Sequence, residues 1–471
     1  MAKRKSSQLL TSVQIRKVLR KWHDLEYTES ALMNLYLVRK AIREIPQSLH
    51  YAVNQVIAAA ITRLATVNAR ASELLTLRFI DRHPVAHCAR HFNVSESNFF
   101  AMQSDAVKQL GVILHDMDSQ AWSTQKVVLE GRLEAQSNPD LIGVEAHIKA
   151  LSDQLCRTDA PWLIAVEGLG GIGKTSLANA TVRRLIDQRA FDEVGWVTAR
   201  TKRLNLGGHI VSGVEPALSA QDLIESLTYQ LIPHYAQVQH TQSEPLLTLL
   251  HRKLKAVPHL IVIDNLETLV DVEALLPTLQ ELANPTKFLL TSREALFSTP
   301  NIYHFKVPEL DSANALALVR QEIAVSNLTA LASWRDDELL PIIDTVGGNP
   351  LALRLVIGQA HVHDVDAILE QLRLAKGEPA ENLYTYIYRH AWQSLTELEQ
   401  KVLLLMPVVN PDGDELSFIA DVSDFPIEQI RKTLNRLVTL SLVDVLESEH
   451  QYRYRIHGLT RTFLHDEILK W

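Results

Sequence analysis

Eight consecutive residues in this 471-residue chain have the clearest capacity for chemistry: Gly168-Leu169-Gly170-Gly171-Ile172-Gly173-Lys174-Thr175. The glycines let successive backbone N–H groups turn toward one anion with no Cβ in the way. Lys174 brings a cation that can reach β- and γ-phosphates, and Thr175 brings a hydroxyl for Mg²⁺. The spacing is that of the phosphate-binding loop, G-x-x-x-x-G-K-[ST], which must follow a strand and open a helix. Trp162-Leu163-Ile164-Ala165-Val166 supplies the strand, and Ser176-Leu177-Ala178-Asn179-Ala180 continues the helix. The helix start aims its dipole and unpaired N–H groups at the same anion. The chemistry implied is binding of a di- or triphosphate group with Mg²⁺. The expected nucleotide contacts are Gly168, Gly170, Gly171, Ile172, Gly173, Lys174, Thr175 and Ser176.

A second set of residues lies about ninety positions on. Leu260-Ile261-Val262-Ile263-Asp264 is an apolar run that ends in an acid. A buried parallel strand of this kind delivers its last residue to the carboxyl edge of the sheet, where a Mg²⁺ site with Thr175 needs a carboxylate. Asn265 follows, and Glu267 stands where an acid can orient water. Lys287-Phe288-Leu289-Leu290-Thr291-Ser292-Arg293 reads as a further strand with a polar tip. Arg293 can face a γ-phosphate, or it can be a surface arginine at a strand end. Pro350, in Gly347-Gly348-Asn349-Pro350-Leu351-Ala352-Leu353, fixes φ and lacks an N–H, which suits a rigid helix start.

The elements that must position these residues are strands alternating with helices, which predicts a parallel, three-layer α/β domain. The whole chain is long enough for two to four domains. Its 46% hydrophobic content supplies core material for all of them. Two cysteines, Cys88 and Cys156, have neither metal spacing nor the numbers for a disulfide framework. No run approaches the roughly 20 apolar residues that span a bilayer, so the chain reads as cytoplasmic with no membrane segment. The net charge of −8 is unevenly placed. Residues 1–115 hold 16 Lys/Arg against 8 Asp/Glu, a balance of +8, so the remainder carries −16. A basic front on an acidic body invites an anionic partner, with a solvated surface as the alternative.

The front of the chain is helical throughout. Helices are expected from Thr11, from Ser30 as a cap, and over Tyr51 to Ala65. Glu73 to Phe79, Val85 to Phe92, a turn at Asn93-Val94-Ser95 and a helix through Phe99, Met102, Ala106, Leu110 and Ile113 describe a helix-turn-helix. Residues 118 to about 139 read as polar and broken, a helix plus linker. The helix-turn-helix segment resembles region four of bacterial sigma factors, on Leu75-Thr76-Leu77-Arg78-Phe79, Ala89, Asn93-Val94-Ser95 and Ala106. That resemblance implies a third helix in the DNA major groove. Here its exposed face is expected to carry Glu96, Ser97, Asn98, Gln103, Ser104 and Asp105, with Lys108 as the basic residue. Phosphate contacts need Lys or Arg, so a helical adaptor for protein contacts is the other reading.

Toward the C-terminus, helices are expected around Leu398 to Leu405, Ile419 to Val422 and Pro426 to Leu440. Strands at Leu442 to Leu446 and Tyr452 to Ile456 complete the element set of a winged helix. In this order of motifs, residues 140–471 resemble the NB-ARC class of STAND signalling ATPases, which includes plant disease-resistance proteins and apoptotic activators. The motifs are Gly168 to Thr175 (Walker A), Ile261 to Asp264 (Walker B), Thr291-Ser292-Arg293 (sensor), Gly348 to Ala352 and Ile456-His457-Gly458-Leu459. The resemblance implies that Pro350 touches the adenine and that His457 touches the ADP β-phosphate. Gly458 replaces the motif's aspartate, and Asn265 stands where many relatives have a second acid.

The expected organisation is multidomain. An all-α N-terminal region (1–125) and a linker (126–139) precede a P-loop NTPase domain (140–305), a helical domain (306–385) and a winged helix (386–471). The resemblance implies a nucleotide-dependent switch with slow ATP hydrolysis through Asp264, Glu267 and Arg293. It further implies nucleotide-dependent self-association, and either a separate partner protein senses the signal or the sequence is a shortened or compact form. The alternative function is a DNA-binding transcriptional regulator with a weak or vestigial ATPase.

Overall fold

The computed structural model describes residues 10–25, 30–44, 49–135, 141–198, 219–232, 245–266, 272–293, 296, 300–361, 364–374, 388–389, 391–393, 395–410, 413–440, 442–448, 451–456, 458–464 and 468. The chain divides into two compact units, residues 1–131 with 186–192, and residues 132–185 with 193–471.

The first unit is all helical. Its helices are Ser12–Arg20, Tyr36–Glu44, Leu49–Val67, Ala69–Leu75, Val85–His91 and Glu96–Glu130. Several starts carry side-chain caps, which satisfy otherwise orphaned N–H groups. Thr11 forms a capping box with Gln14, Asn68 accepts from Ala71 N, and Ser95 accepts from Asn98 N. Ser30 caps a short 3₁₀ turn, Ala31–Asn34, rather than the following helix. Leu19, Leu64, Leu75, Phe99 and Leu110 are fully buried where the helices meet.

Two expectations for this unit are corrected. The last helix does not break near residue 118 but runs for 35 residues to Glu130. One of the polar residues that made this stretch look irregular, Asp118, is a buried partner. Asp118 is 2% exposed, accepts from Leu37 N at 3.0 Å and pairs with Arg189 at 2.8 Å. The Arg189 guanidinium also lies 5.5 Å from the centroid of the buried Trp122 ring. Gln103 leaves the expected exposed face, since it is 6% exposed. A second buried carboxylate, Asp192, receives both Arg39 and Arg43.

The second unit is built on a five-stranded sheet, β1 (Leu163–Glu167), β2 (Val194–Thr198), β3 (Leu260–Asp264), β4 (Lys287–Ser292) and β5 (Ile302–Lys306). All pairings are parallel, in the order β2-β3-β4-β1-β5. Every residue of β1, β3 and β4 is buried, so both faces are covered, as an α/β sheet requires. The sequence signalled four of these strands, the three already given and a buried run at Val194 to Ala199. The fifth was hidden because β5 is an edge strand whose side chains are half-buried or exposed, so it lacks a continuous apolar run. It follows a turn at Asn301, where φ is +64°.

Beyond the sheet, the helices Ser312–Val325, Asp336–Val346, Pro350–Gln359 and Val365–Leu374 pack together. One continuous apolar core joins them to the helices Glu397–Leu405, Leu416–Ser423 and Ile427–Thr439. The packing is close: a Cβ on Gly358 would lie 2.7 Å from the Leu440 carbonyl carbon. The expected hairpin is present as β7 (Asp444–Ser448) and β8 (Gln451–Arg455), joined on β8 by a short strand β6 (Asp414–Glu415). Among the described residues, no single helix is long and apolar enough to cross a membrane.

Lys287, the first residue of β4, is 1% exposed. Its Nζ donates to the carbonyls of Asp159 and Pro161 and lies 4.3 Å from the Trp162 ring centroid. Burial pulls its pKa down from 10.5 to about 8. Between those values the unfolded chain binds the proton that the folded chain has lost, so stability rises with pH across that window. Denaturant midpoints measured from pH 8 to 10.5 are expected to rise more for the wild type than for Lys287→Met.

Candidate functional site

The geometry begins with the end of β1. Glu167, 5% exposed, accepts from Leu296 N at 3.0 Å and lies 2.8 Å from His304 Nδ1. The carboxylate therefore ties the P-loop strand to β5 and to the segment that follows β4. The loop then turns through Gly171 (φ +71°) and Gly173 (φ +96°), both in the region that favours glycine. A Cβ on Gly171 would strike Leu351 at 2.7 Å, whereas one on Gly173 would meet nothing within 4 Å. One glycine thus permits close packing, and the other faces open space. The helix Lys174–Asp187 follows immediately, with Leu177 N bonded to Gly173 O.

Lys174 is 8% exposed, and its Nζ donates to the carbonyls of Gly168 and Leu169 at 2.8 and 3.0 Å. Thr175 Oγ1 donates to Asp264 Oδ1 at 2.7 Å. Asp264 is fully buried at the end of β3. The sheet order puts β4 between the strand of the loop and the strand of the acid, and Thr291 fills that gap. Thr291 Oγ1 donates to Asp264 Oδ1 at 2.6 Å and accepts from Asn265 N at 2.9 Å. Asn265, at φ +61°, turns its own amide onto Asp264 Oδ2 at 2.8 Å. A carboxylate and a hydroxyl held side by side are the hard oxygen donors that Mg²⁺ takes.

These groups open on a cavity of about 730 Å³, within the range of small-molecule sites. Of the expected site residues, Gly170, Gly171, Ile172, Gly173, Lys174, Thr175, Ser176, Arg293 and Pro350 line it. Gly168 and Asp264 are not in its lining, and Asp264 is reached through Thr175. Pro350 stands at the first turn of its helix, as its fixed φ favours. Glu267 and His457 lie outside the described residues. Apolar wall comes from Ile142, Leu310, Leu318 and Leu351, and from Val443 and Ile456 beside the C-terminal hairpin.

Several lining residues carried no sequence signal. Arg455 on β8 pairs with Glu134 at 2.8 Å, with side chains 11% and 6% exposed. The backbone carbonyl of Glu134 accepts from Asn179 in the helix that follows the loop. Arg354 pairs with Glu322 at 2.9 Å across the same cavity. These pairs join distant parts of the chain, so no local spacing announces them. Thr291 was legible as part of a motif, but its bridging position follows only from the strand order.

The NB-ARC domain family matches residues 144–327. A putative disease resistance protein of Arabidopsis thaliana is 23% identical over 75% of this chain and 41% of its own length. The disease resistance protein RPP8 of the same plant is 25% identical over 47% of this chain and 23% of its own length. The chain therefore spans less than half the length of these relatives. Among solved structures, a STAND protein with a tetratricopeptide repeat sensor from Pyrococcus horikoshii aligns with a TM-score of 0.45 and 17% identity. That alignment covers 71% of this chain and 43% of the other. The family's span opens one residue before the helix Glu145–Leu155 and closes at Asn327, so it takes in the whole parallel sheet and the loop that the sheet carries. The match to the NB-ARC domain is thus carried by residues 144–327.

Proposed function

We propose that this chain is a nucleotide-dependent signalling switch that binds ATP or ADP with Mg²⁺ in the cavity at the loop Gly168–Thr175. The observation that carries the reading is the Thr175–Asp264–Thr291 contact, which sets a buried carboxylate and a hydroxyl at the mouth of a glycine-rich loop. Lys174 leaves the loop carbonyls for the β- and γ-phosphates. Bound Mg²⁺ supplies neutralisation of phosphate charge, and Thr175 and Asp264 are the residues that hold it. Arg293 faces the γ-phosphate, and Pro350 with Leu351 packs against the base. By resemblance, Glu267 orients water for slow hydrolysis, and His457 ties the C-terminal elements to the β-phosphate of ADP.

Magnitudes favour a distributed switch. Moving a two-state equilibrium from 1:99 to 99:1 takes about 5.5 kcal/mol of differential affinity. One charge-assisted hydrogen bond contributes about 1.5–3 kcal/mol, so several contacts must change together. The cavity draws its wall from the loop, from the segment after β4, from the helix Pro350–Gln359 and from the C-terminal hairpin, and this supports that reading. The change would expose surfaces for self-association, with a separate protein supplying or receiving the signal.

Lys174→Ala is expected to lower both ATP and ADP affinity by about 100-fold or more, because two or more charge-assisted contacts are lost. Titration with a fluorescent nucleotide checks this, and wild-type affinity in the variant would sink the reading. Asp264→Asn is expected to weaken Mg²⁺-dependent ATP turnover more than ADP binding, since Mg²⁺ bridges mainly the β- and γ-oxygens. Equal losses in turnover and in ADP titration would assign Asp264 a structural role only.

A further inference from the structure

The helix Pro350–Gln359 starts at a residue that does more than cap it. Asn349 is 1% exposed. Its Oδ1 accepts from Leu351 N at 3.1 Å and Ala352 N at 3.4 Å, which is ordinary helix capping. Its Nδ2 donates to the carbonyl of Gly170, 179 residues earlier in the chain, at 3.0 Å. The orientation of the amide is fixed by chemistry, because the end that accepts two N–H groups must be the oxygen. Asp, Ser and Thr cap as well as Asn does. None of them offers an amide NH₂ to a carbonyl on the far side.

The partner carbonyl belongs to the peptide that joins Gly170 to Gly171. A peptide is planar and trans, so its N–H points opposite to its C=O. Holding the Gly170 carbonyl toward Asn349 therefore holds the Gly171 N–H away from the helix and toward the inside of the loop. The surroundings make this grip firm. A Cβ on Gly171 would lie 3.2 Å from Asn349 Oδ1 and 2.7 Å from Leu351 Cβ, so helix and loop are in direct contact. On the other side, Gly348 N donates to Glu309 Oε2, Leu310 N donates to Gly348 O, and a Cβ on Gly348 would overlap the Leu310 carbonyl at 2.0 Å. Asn349 has no room to drift.

We propose that Asn349 is a positioning residue for nucleotide binding: its amide orients the Gly170–Gly171 peptide so that the Gly171 N–H is aimed at phosphate. The proposal rests on the reading of this loop as the nucleotide site. Because Asn349 also starts the helix, it makes the phosphate cradle and the helical layer move as one piece.

The test uses the full chain, stripped of nucleotide, as wild type, Asn349→Ser and Asn349→Asp. Both variants keep a cap acceptor and lose the amide NH₂ that reaches Gly170. Their melting midpoints without nucleotide are expected to stay within a few degrees of the wild type. ADP affinity in Asn349→Ser is expected to fall about 10-fold, the scale of one hydrogen bond in a phosphate cradle. Asn349→Asp is expected to fall further, since it turns a carboxylate oxygen toward a carbonyl and adds negative charge beside phosphate. The loss should follow the phosphates: pyrophosphate competes less well against a fluorescent ADP, while adenosine competes as before. Wild-type ADP affinity in Asn349→Ser, or equal losses for pyrophosphate and adenosine, would overturn the positioning role alone. Absence of ATP and ADP binding by the wild type would overturn the nucleotide reading and this role with it.

Discussion

The second unit depends on one buried carboxylate. Asp264 is wholly out of water, and three side-chain donors reach it, from Thr175, Thr291 and Asn265. An ionised group in such a place is tolerable only when its lone pairs are satisfied. That requirement fixes where the loop, β3 and β4 lie relative to one another. The strand order puts β4 between β3 and the strand that leads into the loop, yet Thr175, in the helix after the loop, reaches Asp264 directly. Thr291, on β4, adds a second hydroxyl, which donates to the acid and accepts from the next backbone amide. An aliphatic residue at 291 would pack as well, but it would leave both partners short of a hydrogen bond.

What the sequence made legible follows from the range of the forces involved. The glycine-rich loop was readable because its chemistry is local: six of its eight residues bring either a missing Cβ or a named functional group. Four buried strands were readable because parallel strands covered on both faces are continuous apolar runs. β5 was not, because an edge strand mixes exposed and half-buried positions. The long helix Glu96–Glu130 was misjudged for the opposite reason. Its polar residues looked like surface, yet Asp118 is a buried anchor for Leu37 N and Arg189. Asn349 looked like a helix cap and is one. Its second bond, to Gly170, spans 179 residues and has no footprint in local spacing.

Buried charge is a recurring device in both units. In the first, Asp192 takes Arg39 and Arg43 from the helix Tyr36–Glu44, and Asp118 takes Arg189 from a turn. In the second, the Arg455–Glu134 and Arg354–Glu322 pairs stand in the wall of the cavity. Buried pairs are weak sources of net stability, because desolvation offsets most of the attraction. Their strength is discrimination: removing one partner leaves the other charge stranded, at about 3–5 kcal/mol. They therefore specify which arrangement of helices and hairpin is allowed more than they hold that arrangement together.

The Arg455–Glu134 pair has a thermal consequence. The two side chains are almost dry, and the chain between them runs through 321 residues. Any motion that carries β8 away from Glu134 must hydrate two ions. Ion hydration carries a strongly negative entropy, so it becomes a poorer reward as temperature rises. Warming therefore shifts the balance at this pair toward contact, and cooling shifts it toward separation. The hairpin's hold on the cavity wall is in this respect heat-strengthened. The apolar core weakens on cooling in the same direction, through the loss of the hydrophobic driving force.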